Sequence, residues 1–225
     1  DLKGLYEVLD QYFNQPIIYQ AGSAYTTASQ ALKVFQNFLD QKIPSLHPGD
    51  DSYTRGAYFG GRTEVFKPFF QASSKHPQLM TYDVNSLYPF IMKTLEFPYK
   101  IKSRGLTRIS DSSPGVYDVT VNVPDWMYIP PLGISYTFGS WNRYIFPTGI
   151  FRGKWTDLEL KYAESLGVKI LKVHSGMTFK TCGFLFKKYI ETLYDLRKKS
   201  IKGSIDDIIY KLLMNSLYGR FGLNV

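Results

Sequence analysis

Residues 204–222 read SIDDIIYKLLMNSLYGRFG, and this stretch predicts a helix with two chemically different sides. Ser204 is a favoured N-cap residue, and the two aspartates that follow it suit the positive end of a helix dipole. At about 100° per residue, one side of the helix is apolar and carries Ile205, Ile208, Ile209, Leu212 and Leu213. The helix is therefore predicted to dock through this side.

A second stripe of the same helix is polar and carries Lys211, Asn215, Tyr218 and Gly222. A cation, an amide, a phenol and a gap in one row can hold a phosphate, a polar edge and an aromatic base. A solvated flank of an amphipathic helix gives the same pattern. Periodicity alone leaves both interpretations open.

The residues before this helix predict its partner. Apolar spacing indicates a helix from about residue 184 to about residue 200, and Lys202-Gly203 breaks it just before Ser204. Two helices joined by so short a turn form an αα-hairpin.

Residues 82–89, YDVNSLYP, form the second informative segment. An apolar run leads into Asp83, and a turn follows it. A carboxylate at the end of a strand, beside a free backbone carbonyl, suits a hard divalent cation that prefers oxygen ligands. Asp83 could equally do no more than start the turn.

The rest of the chain predicts short helices and strands. Helices are indicated at 1–13 and 28–39, with a linker rich in turn formers between 41 and 52. Strands are indicated at 58–66, 79–84, 116–123, 127–134 and 169–173.

A further helix is predicted between the strands at 127–134 and 169–173, and it ends before residue 167. Thr156 and Glu159 form a capping box at its start, and Gly167 suits the position just beyond its end. The stretch from about 99 to 150 is rich in Gly, Pro, Ser and aromatic residues, which predicts an inserted β-rich subdomain.

Composition limits the classes of function. The formal net charge is +8 and 16% of the residues are aromatic, which suits a nucleic-acid channel, although an anionic membrane or an acidic partner would also fit. Cys182 is the one cysteine, so it cannot form an internal disulfide or a cysteine metal cluster. No apolar run approaches the roughly 20 residues of a membrane span, so no membrane partner is expected.

Three motifs together resemble those of family B DNA polymerases, in the order found there. DVNSLYP at 83–89 resembles D-x-x-S-L-Y-P, and KLLMNSLYG at 211–219 resembles K-x-x-x-N-S-x-Y-G. YFGG at 58–61 resembles the Y-x-G-G motif of the protein-primed members. The phrase FPTGIFRGKWTDLELKYAE at 146–164 is similar to members encoded by linear plasmids of organelles, which implies a mitochondrial location, with a viral or phage origin as the alternative.

The resemblance implies roles for individual residues. Asp83 would be catalytic and ligate two Mg²⁺ ions, and the carbonyl of Val84 would ligate one of them. Leu87 and Tyr88 would lie under the incoming deoxynucleoside triphosphate, with Tyr88 closing the space of a ribose 2′-hydroxyl. The remaining nucleotide-binding residues would be Arg197, Lys211, Asn215 and Tyr218, and the DNA-binding residues Tyr58, Gly60, Gly61, Ser86 and Gly219.

Two of these assignments have a simple structural alternative. Arg197 could be only a cation near a helix C-terminus, and Gly60-Gly61 could be a simple turn. Gly219 would let a template backbone approach closely, which a residue without Cβ permits.

The implied fold class is α+β: a polymerase palm with an antiparallel sheet, a two-helix fingers hairpin and a small β-rich insertion. Residues 1–52 would be the end of an exonuclease domain and a linker, and 53–98 the Y-x-G-G segment and first palm part. Residues 99–180 would be an insertion like the terminal-protein region with the return to the palm. Residues 181–225 would be the fingers helices and the start of the second palm part.

The implied function is that of a fragment of a DNA-directed DNA polymerase. Its partners would be primer-template DNA, the incoming nucleotide and a terminal protein whose hydroxyl serves as primer. The family's second catalytic motif, Y-x-D-T-D, does not occur in the 225 residues, so this piece alone is expected to be inactive. The alternative is a catalytically incomplete remnant that acts only as a nucleic-acid-binding module.

Overall fold

The computed structural model describes residues 2–40, 42, 45–75, 78–181 and 183–223. Asp1, at the start of the first predicted helix, and Cys182 lie outside the described residues, as does part of the predicted linker. Within the described part of the chain, no helix combines the length and the apolar character needed to cross a membrane.

The chain forms two compact units. Unit 1 comprises Asp1–Phe38, Phe59–Thr94 and Phe186–Val225, and unit 2 comprises Leu39–Tyr58 and Leu95–Leu185. The assignment of the four predicted stretches to polymerase domains stays a prediction.

Helices dominate unit 1, and strands dominate unit 2. In chain order the elements are α1 (Leu2–Phe13), α2 (Pro16–Ala21), α3 (Thr27–Gln36), α4 (Pro48–Arg55), α5 (Leu87–Thr94), β1 (Pro98–Arg104), β2 (Gly115–Val123), β3 (Ile134–Phe138), β4 (Trp141–Ile145), β5 (Gly149–Thr156), α6 (Asp157–Ser165), β6 (Lys169–Thr181), α7 (Lys187–Lys199) and α8 (Ile205–Gly222). The predicted α+β class is confirmed.

Unit 2 is built on a four-stranded antiparallel sheet in the order β1-β6-β2-β5. The alternation that predicted the central strand β2 is borne out, because Val119, Val121 and Val123 are fully buried. They pack with Trp155 and with Leu160 of α6 in one apolar core. A separate two-stranded antiparallel ribbon, β3–β4, extends from this unit.

The predicted capping box starts α6. The Glu159 backbone N–H donates to the Thr156 hydroxyl oxygen, and the Thr156 N–H donates to the Glu159 carboxylate at 2.8 Å. Gly167 follows the helix with φ of +99°, which confirms its predicted place beyond the C-terminal end.

Replacing Thr156→Ala is expected to destabilise unit 2 by about 1 kcal/mol, because one helix N–H loses its acceptor. All three tryptophans lie in unit 2, so urea titration followed by tryptophan fluorescence reports the unfolding of this unit. Thr148→Ala, at an exposed threonine of the same unit, is the control. An equal midpoint for the two variants would show that the cap contributes nothing.

Three predicted strands are absent from the structure. Residues 127–133 are bends and irregular backbone, and only Ile134 belongs to a strand, because Pro130-Pro131 lacks two backbone donors that a ladder needs. Residues 58–66 contain Gly60-Gly61, which weakens a strand. In the described residues 79–84, the large apolar side chains are exposed, so no buried face holds an extended segment in place.

The predicted helical hairpin, with its cap and its break, is confirmed. Ser204 caps α8 by accepting from the Asp207 N–H, and Gly203 makes the break with φ of +81°. The phenol of Tyr189 in α7 donates to the Leu213 carbonyl of α8 at 2.8 Å, in a buried contact. Burial raises the pKa of this phenol, so it remains a neutral donor at physiological pH.

The buried side of α8 differs from the predicted one. Ile209 and Leu213 are buried as expected, but Ile208 and Leu212 are nearly half exposed. The other buried residues of this helix are Tyr210, Met214 and Leu217. The phenol of Tyr210 can be buried because it donates to the Gln15 side-chain oxygen at 2.7 Å, which removes the cost of an unsatisfied hydroxyl.

Candidate active site

The segment around Asp83 is open to solvent and leads directly into α5. Asp83 and Val84 are both exposed, and Leu87 begins the helix two residues after the turn at Asn85. Among the described residues, none forms a hydrogen bond or an ion pair with the Asp83 carboxylate. This carboxylate is therefore available to a cation.

The turn between Asp83 and α5 holds an unusual backbone conformation. Ser86 has φ of +51°, and within the described part of the chain it is the non-glycine residue with positive φ. Its carbonyl accepts from the Phe90 N–H at 2.9 Å, the first backbone bond of the α5 turn. A serine held in the left-handed region costs free energy, and here it turns the chain from the extended Asp83 segment into the helix.

The polar stripe of α8 lies on the side of the helix away from its buried face. Of its residues, Lys211 and Asn215 are exposed, and Tyr218 and Gly222 are half-buried; Gly219, beside the stripe, is also exposed. A Cβ on Gly219 would meet no atom within 4 Å, so packing within the described residues does not require a glycine there. This stripe can be reached by a ligand.

The two main motifs meet at a pair of tyrosines. The rings of Tyr88 in α5 and Tyr218 in α8 have centroids 4.8 Å apart and are tilted by 32°. A Cβ built on Gly61 would lie 3.7 Å from the Tyr88 hydroxyl. Residues 130 positions apart in sequence thus form one surface of two rings, with the glycine of the third motif beside it.

Further contacts in unit 1 hold α5, α7 and α8 around this pair. Lys93 of α5 and Glu191 of α7 form an ion pair at 3.2 Å. Phe35 of α3 stacks on Phe186 at 4.8 Å and meets the ring of Tyr189 edge-on. These contacts fix the helices that carry Tyr88, Lys211 and Tyr218.

Arg197 is engaged at the hairpin turn. Its Nε donates to the Asp207 carboxylate at 2.6 Å, and the Gly203 N–H donates to the same carboxylate at 3.0 Å. The Gly203 N–H and then Arg197 lower the pKa of Asp207 below its usual value. Arg197 would have to leave this pair to bind a phosphate, so its predicted role as a phosphate ligand stays a prediction.

Sequence reasoning missed Asp207 as the residue that braces this turn. The signal was present, because an N-cap serine followed three residues later by a carboxylate is a capping pattern. Lys93 and Glu191 were also missed, and no local pattern joins two residues so distant in sequence.

The predicted DNA-binding residues of the third motif fall on both sides of a unit boundary. Tyr58 is the last residue of its stretch in unit 2, whereas Gly60 and Gly61 belong to unit 1. Tyr58 is 41% exposed, and a Cβ on Gly60 would meet nothing within 4 Å. Their predicted contact with DNA stays a prediction.

The donor atoms of the Asp83 segment suit a hard cation but do not complete a site. The Asp83 carboxylate and the Val84 carbonyl are oxygen ligands of the kind that Mg²⁺ prefers. Across the ranges that the structure describes, no group of three or more His, Cys, Asp or Glu side chains is placed to share a metal ion. This segment can thus supply part of a metal site.

Comparison with solved structures defines the class of the fold. The crystal structure of phi29 DNA polymerase in its orthorhombic form covers 97% of the chain with a TM-score of 0.71 at 24% sequence identity. The same polymerase complexed with primer-template DNA and incoming nucleotides covers 89% with a TM-score of 0.67 at 24% identity. The chain therefore shares the fold of part of the phi29 DNA polymerase chain.

The family follows from the sequence. The family model described as DNA polymerase type B, organellar and viral, matches residues 1–225, and the chain belongs to this family. A probable DNA polymerase of Neurospora intermedia is 34% identical over 211 residues, which cover 88% of the chain. The resemblance to protein-primed family B polymerases is thereby confirmed.

The chain spans a small part of its relatives. It covers 21% of the length of the Neurospora protein and 39% of the phi29 polymerase chain. Roles carried by the remaining length of those proteins lie outside the residues described here.

Proposed function

We propose that the chain is the part of a DNA-directed DNA polymerase that binds the incoming nucleotide and one side of the catalytic metal site. The reaction is attack of a primer 3′-hydroxyl, or of a terminal-protein hydroxyl, on the α-phosphate of a deoxynucleoside triphosphate. The observation that carries this proposal is the contact of Tyr88 with Tyr218 at 4.8 Å, because it brings the two nucleotide motifs to one surface.

Lys211, Asn215 and Tyr218 bind the nucleotide from α8. Lys211 lies seven residues, about two helical turns, before Tyr218. This spacing suits a charged triphosphate at one end of the stripe and a base at the other. Asn215, between them, offers an amide to a polar edge. Positioning of the reactants supplies much of the rate in such a reaction.

Tyr88 and Leu87 form the floor beneath the sugar. The Tyr88 ring is supported on one side by Tyr218, which keeps it from swinging into the space it borders. A rigid aromatic ring under the 2′-carbon leaves room for hydrogen but not for a hydroxyl. Sugar selection thus follows from packing rather than from a hydrogen bond.

Asp83 and Val84 would hold Mg²⁺ through the exposed carboxylate and the neighbouring carbonyl. Bound there, the ions would lower the pKa of the attacking hydroxyl and stabilise charge on the leaving oxygen. The residues of this chain contribute the ligands, and the turn at Ser86 joins their segment to α5. Two ions also need a second carboxylate, so the 225-residue chain alone would not extend a primer.

Primer-template DNA is the proposed macromolecular partner, through Tyr58, Gly60, Gly61, Ser86 and Gly219. The net charge of +8 favours a polyanion, and the phage polymerase of this fold has been crystallised with primer-template DNA. Open space around Gly60 and Gly219 leaves room for a sugar-phosphate backbone. A terminal protein as primer and a mitochondrial location are further proposals, supported by the organellar and viral family.

Replacing Tyr88→Val in the complete polymerase is expected to relax sugar selection at least about tenfold, because a smaller side chain opens space beneath the 2′-carbon. Competing ribo- and deoxynucleotides in a primer-extension assay measure this ratio. Lys211→Ala should instead raise the KM for both kinds of nucleotide, because it removes a phosphate contact.

Tyr25→Val, at a fully exposed tyrosine of unit 1, is the matched control for the change of residue type. Unchanged sugar discrimination in Tyr88→Val would remove the steric role. No extension by the complete parent protein under any condition would favour the remnant that only binds nucleic acid.

A further inference from the structure

The β3–β4 ribbon of unit 2 carries an aromatic face that is open to solvent. The two strands pair Tyr136 with Arg143 and Phe138 with Trp141. Because side chains alternate along a strand, these four side chains share one face, together with Ile145. These five residues line a shallow, half-open depression of about 380 Å³.

The three large aromatic rings of this face are mostly exposed to solvent. Phe138 is 74% exposed, Trp141 is 66% exposed and Tyr136 is 51% exposed. Three large aromatic rings side by side on a surface leave apolar area in contact with water. An exposed apolar cluster of this kind marks a binding surface.

The base of the ribbon is anchored to unit 2. Ile134 packs against the apolar core of unit 2, and the Trp155 indole N–H donates to the Gly133 carbonyl at 2.9 Å. Tyr144, on the opposite face, packs edge-on against Phe146 with centroids 4.8 Å apart. These contacts hold the base from which the aromatic face extends.

The charge around the ribbon selects the kind of ligand. Residues 126–156 include Arg143, Arg152 and Lys154 and contain no Asp or Glu. The Arg143 guanidinium lies over the Trp141 ring, 5.7 Å from its centroid, so a cation stands beside the stacking surface. Arg152 is engaged with Asp118, and the Lys154 ammonium lies over the Tyr53 ring, which leaves Arg143 as the cation of the face among these three.

We propose that this face binds single-stranded nucleic acid, with unpaired bases stacked on Trp141 and Phe138 and a phosphate held by Arg143. Aromatic platforms beside a cation are the general means by which proteins bind unpaired strands without regard to sequence. The face lies within unit 2 and shares no residue with the nucleotide site of unit 1. It is thus a second nucleic-acid site, and its action requires neither Mg²⁺ nor a nucleotide.

The test is binding of a fluorescent oligothymidylate of about 12 nucleotides, measured by anisotropy without Mg²⁺ or nucleotide. The double variant Phe138→Ala/Trp141→Ala is expected to bind at least about fivefold more weakly, the loss for one stacked base. Trp141→Phe keeps a ring and should bind nearly as well as the parent. Trp126→Ala, at a tryptophan 75% exposed in the same unit, is the matched control.

A base-free strand of the same length and charge separates stacking from charge attraction. The parent is expected to bind this strand more weakly than oligothymidylate, and the double variant should show no preference between the two. Equal affinity of the parent and the double variant for oligothymidylate would overturn the proposal. So would a Trp141→Leu variant that binds as the parent does, because the face would then be a general apolar surface suited to a protein.

Discussion

Asp83→Asn in the complete polymerase is expected to lower the rate of primer extension by about a thousandfold or more, with little change in the affinity for primer-template DNA. The substitution keeps the size of the side chain and removes its charge. A metal ion contributes several kcal/mol of transition-state stabilisation, and 1.36 kcal/mol corresponds to about tenfold in rate. The carboxylate is exposed and has no partner among the described residues, so its loss should not destabilise unit 1.

Asp10→Asn is the matched control for this variant, because Asp10 is an exposed carboxylate of the same unit on α1. Single-turnover extension and a gel-shift measurement on the same preparations separate chemistry from binding. If Asp83→Asn extended within about tenfold of the parent rate, Asp83 would not be the metal ligand. A large loss of DNA affinity would instead make it a DNA contact.

The helix that carries the nucleotide stripe could be predicted from sequence because its signals are local. Ser204, the acidic first turn and the Gly203 break depend on neighbours within four residues, and all three are found in the structure. The capping box at Thr156 is predictable for the same reason. Local hydrogen bonds need no knowledge of what packs against the helix.

The buried side of α8 could not be predicted so well, because it depends on neighbouring helices. Ile208 and Leu212 are as apolar as Leu213, yet only Leu213 is fully buried. The burial of Tyr210 depends on a hydrogen bond to Gln15, which lies 195 residues away. Hydrophobicity along one helix cannot show which side meets a partner that supplies hydrogen bonds as well as apolar contact.

Helix α4 shows that one set of residues can indicate opposite structures. His47, Pro48 and Gly49 read as turn formers, which predicted a linker. In the structure Pro48 is the first residue of α4, and the His47 ring accepts from the Gly49 N–H at 3.3 Å. Proline suits the first turn of a helix as well as a turn between elements.

No local sequence pattern predicts the contact between Tyr88 and Tyr218, which supports the proposed function most strongly. Tyr88 and Tyr218 were each given a role through the resemblance to polymerases, but nothing in their spacing predicts that their rings meet. The structure supplies that contact, and the Lys93 and Glu191 pair beside it. The individual motifs were predictable, whereas their joining into one surface required the tertiary fold.

The 225-residue chain by itself is expected to bind primer-template DNA weakly and without sequence preference, and not to extend it. The basic and aromatic residues that favour a polyanion lie within the chain, and its net charge is +8. Because binding would release counterions, the affinity should fall steeply between about 50 and 200 mM salt.

Extension should fail because Asp83 alone offers too little negative charge. Two divalent ions about 3.5 to 4 Å apart need carboxylates on both sides, and no cluster of three ligand side chains occurs among the described residues. Glu64 and Asp118 are two carboxylates of the chain that could complete such a site, but both are already engaged. Glu64 accepts from Arg62 at 2.7 Å, and Asp118 accepts from Arg152 at 2.7 Å.

A gel assay with a labelled primer, Mg²⁺ and all four nucleotides tests this directly. The positive control is a longer form of the protein that includes a Y-x-D-T-D motif, assayed at the same DNA occupancy. Template-dependent elongation by the 225-residue chain would show that one of its own carboxylates completes the site. Glu64→Gln and Asp118→Asn would then identify which one, because releasing Arg62 or Arg152 would be a requirement of catalysis.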